Sequence, residues 1–248
     1  MAEADGRART PIRRGDKVAQ AVARSIVRKI RAEGLQVGAQ LPSEAQMLEE
    51  YGVGRGSLRE ALRILEVHGL ISIKPGPRGG PIVAETDTGD FGRMASLYFQ
   101  VSGMTYRELI EARLVMEPVM ARLAAERRDP EAVARLRESG EAGRADDETG
   151  YLASTGDFHR MVGEMSGNGV LFLFSQSLSD LFRERVSGIV FPKSRRREVL
   201  AVHAAIAKAI EEGDADEAER LMFEHMDKYV TYVKRAHPSL IDEVVDWR

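Results

Sequence analysis

The chain has 248 residues, 43% of them hydrophobic and 30% charged, which is enough for two domains that each bury a core. It contains no cysteine, so disulfides, thiolate metal sites and thiol nucleophiles are excluded. No apolar run is long enough to cross a bilayer, and Met1 to Arg14 lacks the apolar segment of a signal peptide. We therefore expect a cytoplasmic protein with no membrane partner.

The net charge of −3 is unevenly distributed along the chain. Residues 1–83 hold 14 lysines or arginines and 9 aspartates or glutamates, a net charge of +5, which leaves −8 for the remainder. Because phosphate binding depends on local positive charge, this favours nucleic-acid contact in the first third of the chain. Residues 1–16 are polar and are predicted to form a flexible arm, either a solvated terminus or an additional phosphate contact.

Three helices are predicted in the basic part of the chain. The first runs from Lys17 to Glu33, where apolar residues recur at every fourth position. The second begins after Ser43, whose side chain can cap it while Gln46 completes a capping box, and Gly52 can end it in a left-handed conformation. The third runs from about Arg55 to His68. Its apolar face comprises Leu58, Ala61, Leu62 and Leu65, and its polar face comprises Gly56, Arg59, Glu60 and Arg63.

A β-hairpin is predicted after the third helix. Leu70 to Ile73 forms a short strand, the glycine- and proline-rich residues 74–80 must turn, and Pro81 to Val83 returns. Lys74 and Arg78 lie at the tip of this wing. Residues 17–84 therefore predict a winged helix-turn-helix whose third helix can enter the major groove of DNA. The alternative is a small helical domain whose arginines are merely solvated.

A family resemblance covers about residues 18–83. The residues that carry it are Gly38, Leu41 to Glu44, Gly52 to Arg55, Leu58 to Leu62, Leu65, Gly69 to Ile71 and the glycine-bearing wing. This pattern resembles the DNA-binding domain of the GntR family of bacterial transcription regulators. The resemblance implies that Arg55, Ser57 and Arg59 contact bases and phosphates, and that Gly76 and its neighbours enter the minor groove. The candidate DNA-binding residues are Arg55, Gly56, Ser57, Arg59, Arg63, Lys74, Gly76 and Arg78.

The recognition region departs from the family pattern at three positions. Ala45 stands where many members have a DNA-contacting arginine, and Gly54 and Gly56 replace the usual hydroxyl residues. These departures affect which operator sequence the protein recognises. Gly56 also leaves no side chain between the helix backbone and a phosphate.

The remainder is predicted to be all-helical, which makes the fold class mainly α. Residues 85–90 have no apolar period and are predicted to be a linker, followed by an effector-binding and dimerisation domain at 91–236 and a tail at 237–248. Six to seven helices joined by short loops predict an antiparallel bundle with an interior for a ligand. The tail docks either on this bundle or on a partner subunit. The predicted helices are Phe91–Val101, Tyr106–Arg128, Pro130–Ser139, Tyr151–Met165, Val170–Val186, Ser194–Glu212 and Ala215–Ala236.

Three of the five histidines interrupt apolar helix faces in this domain. His159, His203 and His225 each lie in an apolar stripe of a different helix, which indicates a shared polar cavity in the bundle. Imidazole is the commonest protein ligand for zinc and related divalent ions, and three imidazoles leave positions for water or a ligand. The alternative is a metal-free cavity of histidines.

Arg113 also falls in an apolar stripe, on the predicted Tyr106–Arg128 helix. A buried guanidinium is unfavourable unless an anion pairs with it. The anion is either Glu117, one helical turn along, or a small carboxylate effector held bidentately in the cavity.

A second resemblance extends over about residues 91–233. Its residues are Glu111 to Arg113, Glu117, Asp157 to His159, Gly167, Asn168, His203, Ala209, Ile210, Gly213, Asp214 and His225. They resemble the FCD effector domain of the fatty-acid-regulator-like subgroup of GntR regulators. The resemblance implies a divalent metal on His159, His203 and His225, and an effector contact from Arg113. Thr155 occupies the position of the family's aspartate ligand, and Asp157 lies about 200° round the helix from it.

These features together predict a ligand-responsive transcription regulator. It would bind a palindromic operator as a homodimer and respond to a small organic acid in the helical domain. The resemblance implies that repression relieved by an inducer is the commoner mode, although the sequence is also compatible with activation. The alternatives are a metal-dependent enzyme that uses the histidine cluster and an architectural DNA-binding protein without a ligand.

Overall fold

The computed structural model describes residues 14–76, 79–85, 87–142, 148–185 and 193–247. The chain divides into two compact units, Met1–Asp90 and Phe91–Arg248. The predicted arm at residues 1–16 lies mostly outside the described residues, but its last three residues form the first turn of a helix.

The first unit is a winged helix-turn-helix, as the sequence predicts. Its elements are α1 (Arg14–Ala32), α2 (Glu44–Tyr51), α3 (Arg55–Val67), β1 (Ile71–Lys74) and β2 (Gly80–Val83). The predicted capping box on α2 is confirmed, because the Gln46 N–H donates to Ser43 Oγ at 3.3 Å and the Ser43 N–H donates to Gln46 Oε1 at 2.9 Å. Gly52 ends α2 with a φ of 59°. Apolar side chains from α1, α2 and α3 fill the core, among them Ile26, Met47, Leu58 and Leu62.

The wing is an antiparallel pair in which Ile71 lies opposite Val83 and Lys74 lies opposite Gly80. The first strand starts one residue later than the sequence predicts. The Leu70 N–H donates to the Leu65 carbonyl at 2.9 Å across Gly69, which has a φ of 68°. Leu70 therefore belongs to the turn that closes α3.

The predicted linker at 85–90 is too long. Helix α4 spans Thr88–Ser102, so the last three linker residues are helical. Asp87 explains the early start, because its Oδ1 accepts a hydrogen bond from the Gly89 N–H at 3.1 Å and so satisfies a free amide of the first turn.

The second unit is a helical bundle. After α4 come α5 (Tyr106–Arg127), α6 (Pro130–Ala142), α7 (Glu148–Met165), α8 (Gly169–Arg185), α9 (Lys193–Glu212), α10 (Ala215–Ala236) and α11 (Pro238–Ile241). Helix α5 is central, since it packs most extensively against α10 and also contacts α7, α8 and α9. No helix among the described residues is long and apolar enough to cross a membrane.

The tail docks on the bundle of its own chain. Ile241 and Val245 are buried, the Val245 N–H donates to the Met104 carbonyl at 2.8 Å, and the Tyr106 N–H donates to the Glu243 carbonyl at 3.1 Å. The segment after α11 is thus bonded to the start of α5, which is the first of the two locations that the sequence left open.

Candidate functional site

The outward face of α3 presents the predicted DNA-reading residues. Arg55, Gly56, Arg59 and Arg63 are exposed and Ser57 is half-buried, while the opposite face of the helix is buried in the core. The Arg59 side chain is 73% exposed, and its Nε lies 3.7 Å from Glu44 Oε2. Such a weak contact in solvent leaves the guanidinium available to a phosphate or a base.

The glycines at the start of α3 are not required by packing within the chain. A Cβ at Gly54 or at Gly56 would meet no other atom of the described structure within 4 Å. In the wing, Lys74 and Gly76 are exposed and Gly76 has a φ of 107°, a value that L side chains rarely adopt. Arg78 lies outside the described residues.

The three predicted histidines of the second unit meet at one point. His203 Nε2 lies 3.1 Å from His225 Nε2, which lies 3.2 Å from His159 Nε2. The three rings come from α9, α10 and α7, and the Phe158 ring stacks on His203 with a centroid distance of 3.9 Å. His203 and His225 are buried and His159 is nearly so. We call this group the histidine cluster.

A buried ion pair on α5 adjoins the histidine cluster. Arg113 contacts Glu117 Oε1 through Nε at 2.7 Å and through Nη2 at 2.6 Å. The other oxygen of Glu117, Oε2, lies 2.5 Å from His159 Nδ1. Glu117 therefore bridges Arg113 and the histidine cluster. Of the two anions that the sequence offered as partners of Arg113, Glu117 is the one that contacts it in the structure.

The electrostatics of the site keep Glu117 ionised and the deepest imidazoles neutral. Burial opposes ionisation of Glu117, but Arg113, with a further contribution from His159, outweighs it and lowers the pKa of Glu117 to about 2. Burial, reinforced by His159, lowers the pKa of His225 to about 3, and burial lowers the pKa of His203 well below its usual value. Neutral imidazole is the form that can bind a metal ion.

The remaining predicted residues are placed as follows. Thr155 is half-buried one turn before His159, and its hydroxyl donates to the Tyr151 carbonyl at 2.8 Å. Asp157 is exposed, and its Oδ1 lies 3.4 Å from Arg160 Nε. Among the described residues no aspartate or glutamate joins the three histidines as a further candidate ligand.

Comparisons with known proteins identify the family. Residues 18–78 match the model of bacterial regulatory proteins of the gntR family, and residues 108–228 match the model of the FCD domain. The HTH-type transcriptional repressor NanR of Enterobacter sp. (strain 638) is 32% identical over 226 residues, which cover 88% of this chain and 85% of that protein. The chain belongs to the GntR family. NanR of Klebsiella aerogenes is 30% identical over 231 residues, with coverage of 88% and 85%.

A solved structure of a GntR protein from Streptococcus agalactiae shares the fold. It has a TM-score of 0.69 and 24% identity, and the match covers 86% of this chain and 99% of that one. The GntR and FCD families are transcription regulators rather than enzymes, so the predicted regulator class is confirmed and the alternative of a metal-dependent enzyme is not supported.

The histidine cluster of this GntR protein is suited to a divalent ion. The three ligand nitrogens all lie within 4.8 Å of one another, and the spacings of 3.1 and 3.2 Å are close to the roughly 3 Å between neighbouring ligands at about 2.1 Å from an ion. His159 has a carboxylate on its outer nitrogen, which is the usual support of a metal-binding imidazole.

Sequence reasoning missed the second contact of Glu117. Its position four residues after Arg113 predicts an ion pair on one helix, whereas the contact with His159 joins residues 42 positions apart. The available signal was a second charged residue beside Arg113 on an otherwise apolar helix face.

Proposed function

We propose that this GntR regulator represses transcription by binding a palindromic operator as a homodimer, and that a small organic acid bound in the helical unit relieves repression. The observation that carries the proposal is the histidine cluster beside the buried Arg113–Glu117 pair, in a chain whose recognition helix is exposed. GntR regulators bind DNA operators and sense small-molecule effectors, and the NanR relatives are named as repressors.

The exposed face of α3 and the wing support operator reading. The interior face of α3 is held by apolar packing, so the core sets the face of the helix on which Arg55 and Arg59 lie. Gly56 has open space outside it, which allows the helix backbone to come close to a phosphate. A palindrome requires two such units, and exposed apolar side chains on α4, namely Leu97, Tyr98 and Val101, give a second copy a surface to cover.

In the proposal the histidine cluster holds a divalent metal ion, zinc or a similar ion, through His159, His203 and His225. Such an ion would supply positive charge for the carboxylate of the acid. Glu117 would fix the ring of His159 by accepting its Nδ1–H, so that Nε2 faces the other histidines. Arg113 already pairs with Glu117 and holds that carboxylate in place. The acid acts as an inducer if it binds one arrangement of the helical unit more tightly than the other.

The DNA-binding part is tested with an operator selected by the full-length protein from a random DNA pool. Arg55→Ala and Arg59→Ala are each expected to weaken binding by about 1–3 kcal/mol, roughly 5- to 150-fold. Arg220→Ala, which removes an exposed arginine from α10, is the control and should bind as the parent does. Unchanged binding by both α3 variants would contradict the recognition-helix assignment.

The sensing part is tested by thermal stabilisation. A panel of small carboxylates is screened with the full-length protein, with and without added zinc, because a ligand of the folded state raises its apparent stability. The acid that stabilises the parent should release the selected operator, and His203→Ala should lose both effects. Operator release that persists in His203→Ala would refute the histidine cluster as the sensing site while leaving operator binding intact.

A further inference from the structure

A cleft between α9 and α10 reaches the histidine cluster from the outside. It has a volume of about 230 Å³, and His225, which is only 7% exposed, forms part of its wall. The cleft is open to solvent between two helices that both carry ligand-type histidines. This volume is below the usual range for drug-sized ligands, so the cleft suits a small, narrow molecule.

The lining of the cleft carries a net positive charge. Arg195, Lys228 and Arg235 line it together with a single carboxylate, that of Glu198. Lys228 Nζ lies 3.7 Å from Glu198 Oε1, so this carboxylate is shared with the lysine. The two arginines remain as a surplus of positive charge at the end away from His225, where the Arg195 guanidinium lies 5.8 Å from the centre of the Tyr232 ring.

His225 forms the inner end of the cleft. Both of its contacts, to His203 at 3.1 Å and to His159 at 3.2 Å, are made by Nε2. Nδ1 makes neither of these contacts, so it is the nitrogen that can serve a ligand in the cleft. His159 has the carboxylate of Glu117 at its Nδ1, 2.5 Å away, whereas no described residue supplies a carboxylate at this distance to His225.

Between the two ends, two valines of α9 form an apolar strip beside Thr231 and the Lys228–Glu198 pair. Tyr232 follows His225 by seven residues of α10, which is about 10 Å at 1.5 Å per residue. Val199 and Val202 of α9 line the cleft between these ends. A ligand with an anion at each end and methylene groups that lie against the two valines fits this lining.

We propose that this cleft binds a linear dicarboxylate of about six to eight carbons. One carboxylate accepts a hydrogen bond from the Nδ1–H of His225, and the other lies between Arg195 and Arg235. The inner carboxylate gives His225 the same kind of outer partner that Glu117 gives His159. It favours the tautomer whose Nε2 lone pair faces the histidine cluster, so dicarboxylate and divalent metal stabilise each other's binding. This site is separate from the site inside the bundle where the proposed function places an organic acid, and it does not depend on DNA binding.

The experiment is a calorimetric titration of the full-length protein with succinate, adipate and suberate, which gives the affinity for each. Adipate or suberate is expected to bind at least five-fold more tightly than succinate, since only the longer chains reach both ends. Arg195→Gln should weaken binding of the preferred dicarboxylate about ten-fold. Arg197→Gln, an exposed arginine on the same helix that does not line the cleft, is the matched control and should leave binding unchanged.

A second readout needs no variant. In protein labelled with ¹⁵N-histidine, the preferred dicarboxylate should shift the Nδ1 signal of His225 in the unsubstituted chain. Equal affinity for all three chain lengths, an unmoved His225 signal, or undiminished binding in Arg195→Gln would each overturn the proposal. Binding that is lost in His159→Ala and kept in Arg195→Gln would place the anion inside the bundle and would also overturn it.

Discussion

The two units place the same kinds of side chain in opposite environments. In the first unit the Arg59 side chain is 73% exposed, and in the second the Arg113 side chain is only 8% exposed. Among the described residues, every buried polar or charged side chain belongs to the second unit. The difference shows a division of labour: the core of the first unit only positions an outer surface, whereas the core of the second unit contains the candidate site itself.

The largest contrast should appear when a buried arginine is removed. Arg113→Ala is expected to destabilise the second unit by about 3–5 kcal/mol, because Glu117 loses the charge that holds it inside the bundle. Arg122→Ala, on the same helix but with a half-exposed side chain, should lose less than about 1 kcal/mol. Urea unfolding of the full-length variants measures both.

A double variant sharpens this result. Arg113→Met combined with Glu117→Leu replaces the ion pair by apolar side chains, and it should recover most of the stability lost in Arg113→Ala. A double variant as unstable as Arg113→Ala would mean that the pair contributes through something other than mutual charge compensation.

The next effect concerns metal affinity. Thr155→Asp places an anionic ligand one helical turn before His159 and should tighten zinc binding by about 1.4 kcal/mol or more, at least ten-fold. Asp157→Asn is the control, since Asp157 is exposed and contacts Arg160. Competition with a chelator of known affinity gives the dissociation constant of zinc for the parent and for each variant. Equal zinc affinity in Thr155→Asp and the parent would show that position 155 does not face the ion.

The pH dependence of stability should also reveal the burial of His225. The folded pKa of His225 is lowered to about 3, below the unfolded value near 6.5, so the native state binds fewer protons in between. Its contribution is complete above pH 6.5 and is lost as the pH falls toward 3, with a slope of up to about 1.4 kcal/mol per pH unit.

His225→Gln should therefore flatten the acid limb of the stability curve of metal-free protein kept in chelator. His237→Gln removes a histidine outside the histidine cluster from the same unit and should keep the slope of the parent. Urea titrations between pH 4 and 7 give the two slopes. Parallel curves for the parent and His225→Gln would exclude His225 as a source of acid sensitivity.

The smallest effect on stability is expected on the wing. Lys74→Ala should change the free energy of unfolding by less than about 0.5 kcal/mol, because the side chain is exposed. It should nevertheless weaken binding to all DNA sequences to a similar degree. The slope of the logarithm of the binding constant against the logarithm of salt concentration should fall in magnitude by about one. A sequence-dependent loss would assign Lys74 to base reading instead of phosphate contact.

The first unit was largely readable from the sequence because its signals are local. The capping box of Ser43 and Gln46 and the apolar face of α3 involve residues three or four positions apart. The early start of α4 was missed because it depends on the side chain of Asp87 and not on apolar periodicity.

The candidate site was readable only in part. Apolar stripes predicted that His159, His203 and His225 face one interior, and their nitrogens do meet. The bridging role of Glu117 could not be predicted, since it depends on how α5 and α7 pack. The cleft beside His225 likewise arises from the spacing of α9 and α10, which no single helix pattern encodes.

The tail has a consequence for how the sensor is assembled. The Glu243 carbonyl and the Val245 amide bond to backbone on either side of Thr105, so the last residues of the chain secure the first turn of the helix that bears Arg113 and Glu117. The segment after α11 is therefore hydrogen-bonded to the start of α5. A ribosome must therefore have made residues 243–245 before that helix gains its anchor.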